Sequence, residues 1–378
     1  MSGHIGGSEI LLFLIIKELQ KRGYNVTVTL QSGGDVAKGA NDYGVDIDLD
    51  RLNVVNLSEG GVLLRKVDRH LKFLWRWRLK RLGHKFDICI SCANPVDFGR
   101  PGIHFIYMLT LDEMFKAHIW NDCKTVWQRV RNSWVFARDY VVACLAGVRM
   151  PARIVCNPDE VVLANSNYAK ACIESYYKCQ IHDAFYPPTM FEPIPKITAK
   201  SNCCNIAYIG RFEPEKRVNE LIEIVRCARE KSSIDFRLRL AGKCPDTEYG
   251  NRIRNLVAGC SWAKLEGTVS GEKKAAFLVS CKLALHGCKV EAFGISVTEY
   301  IKAGLVPVVP REGGSSEVVG LRDLAYGDID EAANILVRLV KDAGFYSKCA
   351  VHCRERGKLF SATAYVERQT QLLNELGV

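Results

Sequence analysis

The sequence lacks the features by which membrane-spanning and secreted proteins are recognised. No run of eighteen apolar residues occurs, and the most apolar stretches, residues 10–16 and 141–148, are too short to cross a bilayer. The first residues carry no basic cluster ahead of an apolar core, so no signal peptide is expected. The 16 cysteines follow no spacing framework, which favours reduced thiols over disulfides. These absences predict a cytoplasmic protein.

The composition is that of a globular protein with more than one hydrophobic core. Hydrophobic residues make up 48% and charged residues 25% of the 378 residues, so two domains are expected. The formal net charge of +10 favours contact with nucleic acid, a phospholipid surface or a phosphorylated small molecule. Charge alone does not choose among these partners.

Strand-like and helix-like segments alternate along the chain, which is typical of parallel sheets covered by helices on both faces. Strands are predicted at residues 26–30, 52–57, 86–90, 103–108, 161–164, 205–209, 236–241, 263–265, 283–286 and 306–309. The proline-rich residues 187–200 predict a linker between an N-terminal domain, residues 1–186, and a C-terminal domain, residues 201–358. The final segment, residues 359–378, contains an amphipathic helix that we expect to cross back to the first domain.

One stretch in the C-terminal half carries two carboxylates eight positions apart, Glu291 and Glu299. Gly294 lies between them. A helix that starts near Ile295 would direct its free N-terminal amides at an anion held between the two acids. The stretch therefore predicts an anion site.

A second charged cluster follows the first predicted strand of the same half, where open α/β sheets bind ligands. Arg211 offers a planar fork and Lys216 a point charge, which together suit a diphosphate better than a single carboxylate. A solvated charge cluster that caps a helix is the alternative interpretation. The nearby pair of carboxylates favours the diphosphate.

Three motifs together resemble those of the retaining GT-B glycosyltransferases of glycosyltransferase family 4. They are Gly-Arg-x4-Lys-Arg from Gly210, Glu-Ala-Phe-Gly-Ile-x3-Glu from Glu291, and Ala-Asn-Ser from Ala164. The resemblance covers essentially the whole chain and is strongest over residues 205–319. It implies an α/β GT-B fold, with two Rossmann-like doubly wound domains facing a central cleft. It also implies transfer of a sugar from a nucleotide diphosphate sugar to an acceptor hydroxyl.

The resemblance implies a role for each matching residue on the donor side. Arg211 and Lys216 would hold the diphosphate and offset the charge of the leaving group, while Glu291 would face the donor sugar. Glu299 would bind the ribose hydroxyls. The other implied donor-binding positions are Gly6, Gly7, Gly210, Val269, Phe293, Gly294 and Ile295. The resemblance implies no protein nucleophile, because the departing phosphate is thought to deprotonate the acceptor. No essential metal and no other cofactor are expected.

The sequence departs from the family pattern at its N-terminus. Such domains begin with a strand that feeds the glycine loop, whereas here the loop at Gly6 and Gly7 starts close to Met1. We expect either a truncated chain or a first domain that closes differently.

A second departure concerns the acceptor side. Near the end of the strand predicted at residues 103–108, where many relatives carry a histidine, this chain has Tyr107, with His104 three residues earlier. His4, on the glycine loop, is a further possibility. The acceptor-side candidates are thus His4, His104 and Tyr107.

Residues 62–85 predict a basic amphipathic helix. One apolar stripe can pack on the sheet, whereas Phe73 and Trp77 project from the opposite side among basic residues. Aromatics in a basic field are typical of a helix that rests on an anionic bilayer surface. The alternative is a solvated helix whose aromatics are covered by a loop. The expected acceptor is accordingly a lipid-linked or membrane-proximal glycan precursor first, and a soluble glycan or small metabolite second, with no nucleic-acid partner.

Other chemistries were weighed against this interpretation. A glycosidase also uses two carboxylates, but it has no need of Arg211 and Lys216. The Asp-x-Asp pattern at Asp46 and Asp48 matches metal-binding motifs, yet its setting predicts an acidic turn. A nucleotide-sugar epimerase of the same architecture and a nucleotide-sugar-binding pseudoenzyme stay open as alternatives.

Overall fold

The computed structural model divides into two compact units. It describes residues 9–30, 35–57, 73–92, 94–107, 111, 113–120, 126–191 and 204–378. The first unit comprises Met1–Pro188 and Ala362–Val378, and the second comprises Thr189–Ser361. The boundary lies within the proline-rich segment. Thr189 belongs to the second unit, where its amide donates to the Phe360 carbonyl over 2.8 Å.

The first unit combines short parallel strands with helices. Its strands are β1 (Val26–Leu30), β2 (Leu52–Asn56), β3 (Ile90–Ser91), β4 (Ile103–Ile106), β5 (Val161–Ala164) and β6 (Asp183–Ala184). Its helices are α1 (Glu9–Lys21), α2 (Val36–Asp42), α3 (Phe73–Gly83), α4 (Glu113–Trp120), α5 (Val126–Leu145), α6 (Pro151–Val155), α7 (Asn167–Tyr177) and α15 (Ala362–Glu375). Strand β1 pairs with β2, and a second sheet has the order β3-β4-β5-β6.

Helix α1 is the centre of the core of the first unit. It is buried nearly all round, as Leu11, Phe13 and Ile16 illustrate, so it behaves as a core helix rather than an amphipathic one. The same core includes Val28 of β1 and Phe105 of β4. Helix α1 thereby contributes to one hydrophobic core with strands of both sheets.

The C-terminal helix α15 packs against α1. Arg22 donates to the Thr370 carbonyl over 3.0 Å, and the Gln369 amide donates to the Leu14 carbonyl over 3.4 Å. Tyr365 of α15 is buried in the shared core. The last helix of the chain therefore completes the first unit.

A buried ionic network ties β4 to neighbouring turns. His104 Nε2 lies 2.9 Å from Glu160 Oε2, and neither side chain is exposed. Arg149 pairs with both Glu160 and Asp97, at 2.8 and 2.9 Å, and Lys80 lies 3.4 Å from Asp97. Burial alone would raise the pKa of Glu160, but the bond from His104 and the charge of Arg149 lower it. Both carboxylates are stabilised as anions because cations surround them.

The second unit is a doubly wound domain built on a parallel sheet. Its strands are β7 (Cys204–Ile209), β8 (Phe236–Ala241), β9 (Ala263–Gly267), β10 (Leu283–Leu285), β11 (Val306–Pro310) and β12 (Ala325–Tyr326). Its helices are α8 (Val218–Glu230), α9 (Glu248–Ala258), α10 (Gly271–Val279), α11 (Ile295–Lys302), α12 (Gly314–Val319), α13 (Ile329–Lys341) and α14 (Ala343–Lys358). The order of the strands is β12-β11-β10-β7-β8-β9.

This order determines where a ligand can bind. Counted by appearance in the chain, it is the 3-2-1-4-5-6 order of a dinucleotide-binding sheet, and it reverses between β7 and β10. Ligands of such sheets occupy the crevice outside the carboxyl ends of the strands at the reversal. The loops after Ile209 and Leu285 therefore flank the expected site.

The sequence predicted most strands to within two residues. The exception is the run at 86–90, of which only Ile90 pairs, in β3. The two-residue strands β6 and β12 were not predicted, because they are too short to show an apolar alternation. Within the described ranges, no helix is long and apolar enough to span a bilayer.

Loss of Arg149 is expected to destabilise the first unit strongly. In Arg149→Leu the buried carboxylates of Asp97 and Glu160 lose a shared cation, which should lower the free energy of unfolding by about 3 kcal/mol. Arg138→Leu is the matched control, because the Arg138–Asp139 pair lies at the surface and should contribute less than about 1 kcal/mol. Urea unfolding of both variants measures the difference. Equal midpoints would contradict a stabilising role of the network.

Candidate functional site

The loop after β7 is held at its start by a tyrosine from another element. The Tyr300 hydroxyl, on α11, accepts the Ile209 amide over 2.6 Å and lies 3.4 Å from the Ile209 carbonyl oxygen. The Tyr208 hydroxyl donates to the Arg211 carbonyl over 3.1 Å. A 3₁₀ turn, Pro214–Lys216, then brings Lys216 to the reversal point of the sheet.

The loop after β10 approaches the first loop closely. A Cβ atom at Gly287 would lie 2.6 Å from the Lys216 carbonyl oxygen, so a side chain there would collide with the backbone. His286, which precedes it, is almost fully buried, and its amide donates to the Val308 carbonyl over 3.0 Å. The glycine permits the contact that brings the two loops together.

The two loops meet in an ion pair. Lys216 Nζ lies 2.6 Å from Glu291 Oε2, and His286 Nε2 lies 3.3 Å from the same oxygen. Burial alone would raise the pKa of Glu291, but the imidazole of His286 and the ammonium of Lys216 lower it to about 2. Burial would likewise lower the pKa of Lys216, and Glu291 raises it. At neutral pH this site holds a carboxylate and an ammonium, both largely screened from water.

The stretch with the two carboxylates leads into helix α11. Gly294, at φ 102°, is its N-cap, and the Gly294 carbonyl accepts the amides of Val297 and Thr298 over 2.9 and 3.2 Å. The amides of Ile295 and Ser296 have no acceptor within the helix, since they lie in its first turn. This end of α11 carries the partial positive charge that favours an anion.

The second carboxylate is also paired with a lysine. Glu299 Oε1 lies 2.6 Å from Nζ of Lys274, which belongs to α10. Each glutamate of the stretch is thus neutralised by a lysine from a different loop or helix. A polyanion that enters the site can compete with the carboxylates for these lysines.

The other donor-side candidates lie around this centre. Arg211 is largely exposed and pairs with Glu213 at 2.9 Å. Val269 is half-buried in the loop between β9 and α10. Phe293 is buried and packs edge-on against Phe360, at 5.5 Å between ring centroids. Gly210 follows the last residue of β7. Gly6 and Gly7 lie outside the described residues.

Of the three acceptor-side candidates, the structure describes His104 and Tyr107. His104 is fully buried and bound to Glu160, which removes it from contact with an acceptor in this structure. The Tyr107 ring stacks on Phe105, its hydroxyl is buried, and burial raises its pKa well above the ordinary value. Both groups are thus enclosed in this structure, and their acceptor-side roles stay predictions. His4 lies outside the described residues.

Trp77 is the described member of the two aromatics expected to face a membrane surface. Trp77 is half-buried, and the Arg81 guanidinium lies 4.0 Å from its ring centroid, so a cation–π contact covers part of the ring. The side chain of Phe73 and residues 62–72 lie outside the description. The described part of the helix is Phe73–Gly83.

Two residues that contact the carboxylates were missed at the sequence level. His286 follows an apolar strand, and Lys274 lies one turn into a helix. Their only signal was position, because His286 sits at the carboxyl end of a strand beside the reversal point. Among the described residues, no cluster of three or more His, Cys, Asp or Glu side chains is arranged to hold a metal ion.

The charge pair predicts a pH-dependent stability. The pKa of Glu291 is lower in the folded state than its ordinary value of 4.5, so its contribution is present above pH 4.5 and is lost as the pH falls towards 2. The difference in the free energy of unfolding between wild type and Glu291→Gln should shrink by about 2 kcal/mol between pH 6 and pH 3. Urea unfolding across this range measures it. A constant difference would refute the depressed pKa.

Known proteins resemble this chain both in sequence and in structure. Residues 192–358 match the family described as "Glycosyl transferases group 1". The "Uncharacterized glycosyltransferase YqgM" of Bacillus subtilis is 22% identical over 197 residues, which span 51% of this chain and 55%, about half, of that relative.

Solved structures resemble nearly the whole chain. HepE of Anabaena, solved with UDP and glucose, is 16% identical with a TM-score of 0.69, over 99% of this chain and 98% of that one. Sucrose-phosphate synthase of Thermosynechococcus elongatus is 16% identical with a TM-score of 0.66, over 98% of this chain and 94% of that one. These likenesses confirm the predicted fold class. Over residues 192–358 the chain is similar to the Glycosyl transferases group 1 family, and the whole chain has the α/β GT-B fold of these structures.

Proposed function

We propose that this protein is a retaining glycosyltransferase that moves a sugar from a nucleotide diphosphate sugar to an acceptor hydroxyl. The observation that carries the proposal is the Lys216–Glu291 pair at the reversal point of the sheet, beside the N-terminus of α11. Nucleotide ligands of doubly wound sheets bind at this position. The similarity to the group 1 family and the UDP held by HepE support the choice of donor.

Each charged group has a distinct part in the proposed reaction. Lys216, joined by Arg211 once its side chain turns from Glu213, holds the diphosphate and offsets the negative charge that grows as the glycosidic bond breaks. The first-turn amides of α11 add to this stabilisation. Glu291 orients the sugar, and Glu299 binds the ribose. Val269 contacts the base, and the departing phosphate accepts the proton of the acceptor.

Binding of a nucleotide sugar should depend on both lysine–glutamate pairs. A panel of UDP, GDP and ADP sugars is expected to raise the melting temperature of the wild type with at least one member, since a ligand at 100 times its Kd stabilises by about 2.7 kcal/mol. Lys216→Ala and Glu299→Ala should lose that shift. Lys348→Ala is the control, because Lys348 lies at the surface beside Asp323.

Turnover of the same donors separates the alternatives. A transferase hydrolyses its donor slowly without an acceptor and releases a sugar with the anomeric configuration retained. An epimerase would release an altered sugar, and a pseudoenzyme would bind without turnover. If no nucleotide sugar stabilises the wild type more than the Lys216 and Glu299 variants, the proposal fails.

We further propose that the acceptor is presented at an anionic membrane surface. Helix α3 carries four basic residues and no acidic one within Phe73–Gly83. Helix α5 exposes Trp134 by 73% and Leu145 by 84%, with Val141 on the same face because the three are spaced by seven and four residues. Large exposed apolar side chains beside cations suit the interface of an anionic bilayer.

Contacts within the first unit bring the basic and apolar helices together. Lys80 of α3 donates to the carbonyl of Gly147, just after α5, and Arg76 of α3 interacts with the charge of Asp139 on α5. Arg138, a further basic residue, lies on the same face of α5 as Trp134 and Leu145. Trp134 and Leu145 thereby replace Phe73 and Trp77 as the main anchors in this proposal. The cytoplasmic location stays a prediction.

Sedimentation with liposomes tests the membrane proposal. Wild type should bind vesicles with phosphatidylserine more strongly than neutral phosphatidylcholine vesicles, and salt should weaken the binding. A Trp134→Ser, Leu145→Ser double variant should bind at least about fivefold less, because two apolar anchors are lost. Val351→Ser, Leu359→Ser is the control, since these two apolar side chains are also exposed, by 56% and 48%, and belong to the second unit. Equal binding by the two double variants would overturn the proposal.

A further inference from the structure

His286 is a buried polar side chain beside the central carboxylate. Its side chain is only 3% exposed, and among the described residues neither ring nitrogen has a hydrogen-bond partner of good geometry. Nε2 nevertheless lies 3.3 Å from Glu291 Oε2. A buried imidazole without hydrogen bonds lowers the stability of the fold. Its position beside Glu291 therefore suggests a functional role.

The main chain holds His286 firmly. Its amide donates to the Val308 carbonyl over 3.0 Å, and its carbonyl accepts the Tyr326 hydroxyl over 2.8 Å. The backbone of His286 is thereby fixed, so the ring changes its direction by rotation about its side-chain bonds. With a proton on Nε2, such a rotation aligns the N–H with the carboxylate.

In this structure Lys216 occupies the oxygen that His286 would bind. Lys216 Nζ is 2.6 Å from Glu291 Oε2, closer than the imidazole. A diphosphate carries more negative charge than one carboxylate and attracts the ammonium towards its own oxygens. Departure of Lys216 would leave Glu291 buried without a partner unless a second donor replaces it.

We infer that His286 is a positioning residue that takes over Glu291 when a bound diphosphate draws Lys216 away. The inference rests on the proposed function. The Nε2–H of His286 then keeps the carboxylate ionised and fixes its direction towards the donor sugar. Lys216 then stabilises the leaving group. The same lysine pairs with Glu291 before the diphosphate binds and with the diphosphate afterwards.

The test compares variants that keep or remove a hydrogen-bond donor at the position of His286 Nε2. His286→Leu has no N–H, whereas His286→Gln has an amide N–H near the position of Nε2. With UDP as the probe, His286→Leu should raise the Kd at least tenfold, because the departing Lys216 leaves Glu291 without a hydrogen-bond donor, whereas His286→Gln should keep the Kd within about threefold of wild type. With the UDP sugar, kcat of His286→Leu should fall at least tenfold, and that of His286→Gln should return to within about threefold of wild type. His352→Leu, remote from the site with its ring on the Val319 carbonyl, is the control.

The outcomes separate this inference from the proposed function. If wild type binds UDP and turns over the donor while His286→Leu keeps wild-type kcat, the positioning role is overturned and the transferase proposal stands. Equal losses in the Leu and Gln variants would also overturn it, because the N–H would then be irrelevant. If wild type neither binds nor turns over any member of the UDP, GDP and ADP sugar panel, both fail together. Should His286→Leu not fold, His286→Asn, which moves the donor away from the Nε2 position, replaces it with the same expected loss.

Discussion

The candidate site depends on one buried ion pair, that between Lys216 and Glu291. Two strands that are distant in sequence lie side by side in the sheet, and their loops converge because the strand order reverses between them. The pair offsets part of the cost of burying each charge, and His286 adds to the depression of the Glu291 pKa. The same pair keeps a cation ready where a diphosphate would bind. Stability of the empty site and affinity for an anion are therefore coupled through one lysine.

Buried charged side chains are paired differently in the two units. In the first, His104, Glu160, Arg149 and Asp97 form a network in which the carboxylates share cations and the groups lie against the protein interior. Such a network stabilises one arrangement. In the second, each glutamate has one lysine partner, and each pair remains partly open to solvent. The lysine of such a pair can turn towards another anion, provided that the glutamate it leaves finds a second hydrogen-bond donor.

The sequence predicted the positions of the Lys216 and Glu291 loops for a physical reason. Both loops follow strands with clear apolar patterns, so their place at the sheet edge followed from chain order alone. The contact of His104 with Glu160 could not be predicted, because the two residues are 56 positions apart and no local pattern records that pairing. The cation–π contact of Trp77 with Arg81 depends on side-chain conformation, which the sequence does not determine. His286 and Lys274 were not predicted, because the sequence does not show which carboxylate each of them contacts in the fold.

Tyr300 connects Glu299 to the loop that carries Lys216. It is the residue next to Glu299, and its hydroxyl binds the backbone at the end of β7, from which the loop to Lys216 departs. The separation between Glu299 and the loop that carries Lys216 is thus set by the protein. If the protein has the function that we propose, this separation would favour nucleotide sugars with one particular number of phosphates between nucleoside and sugar.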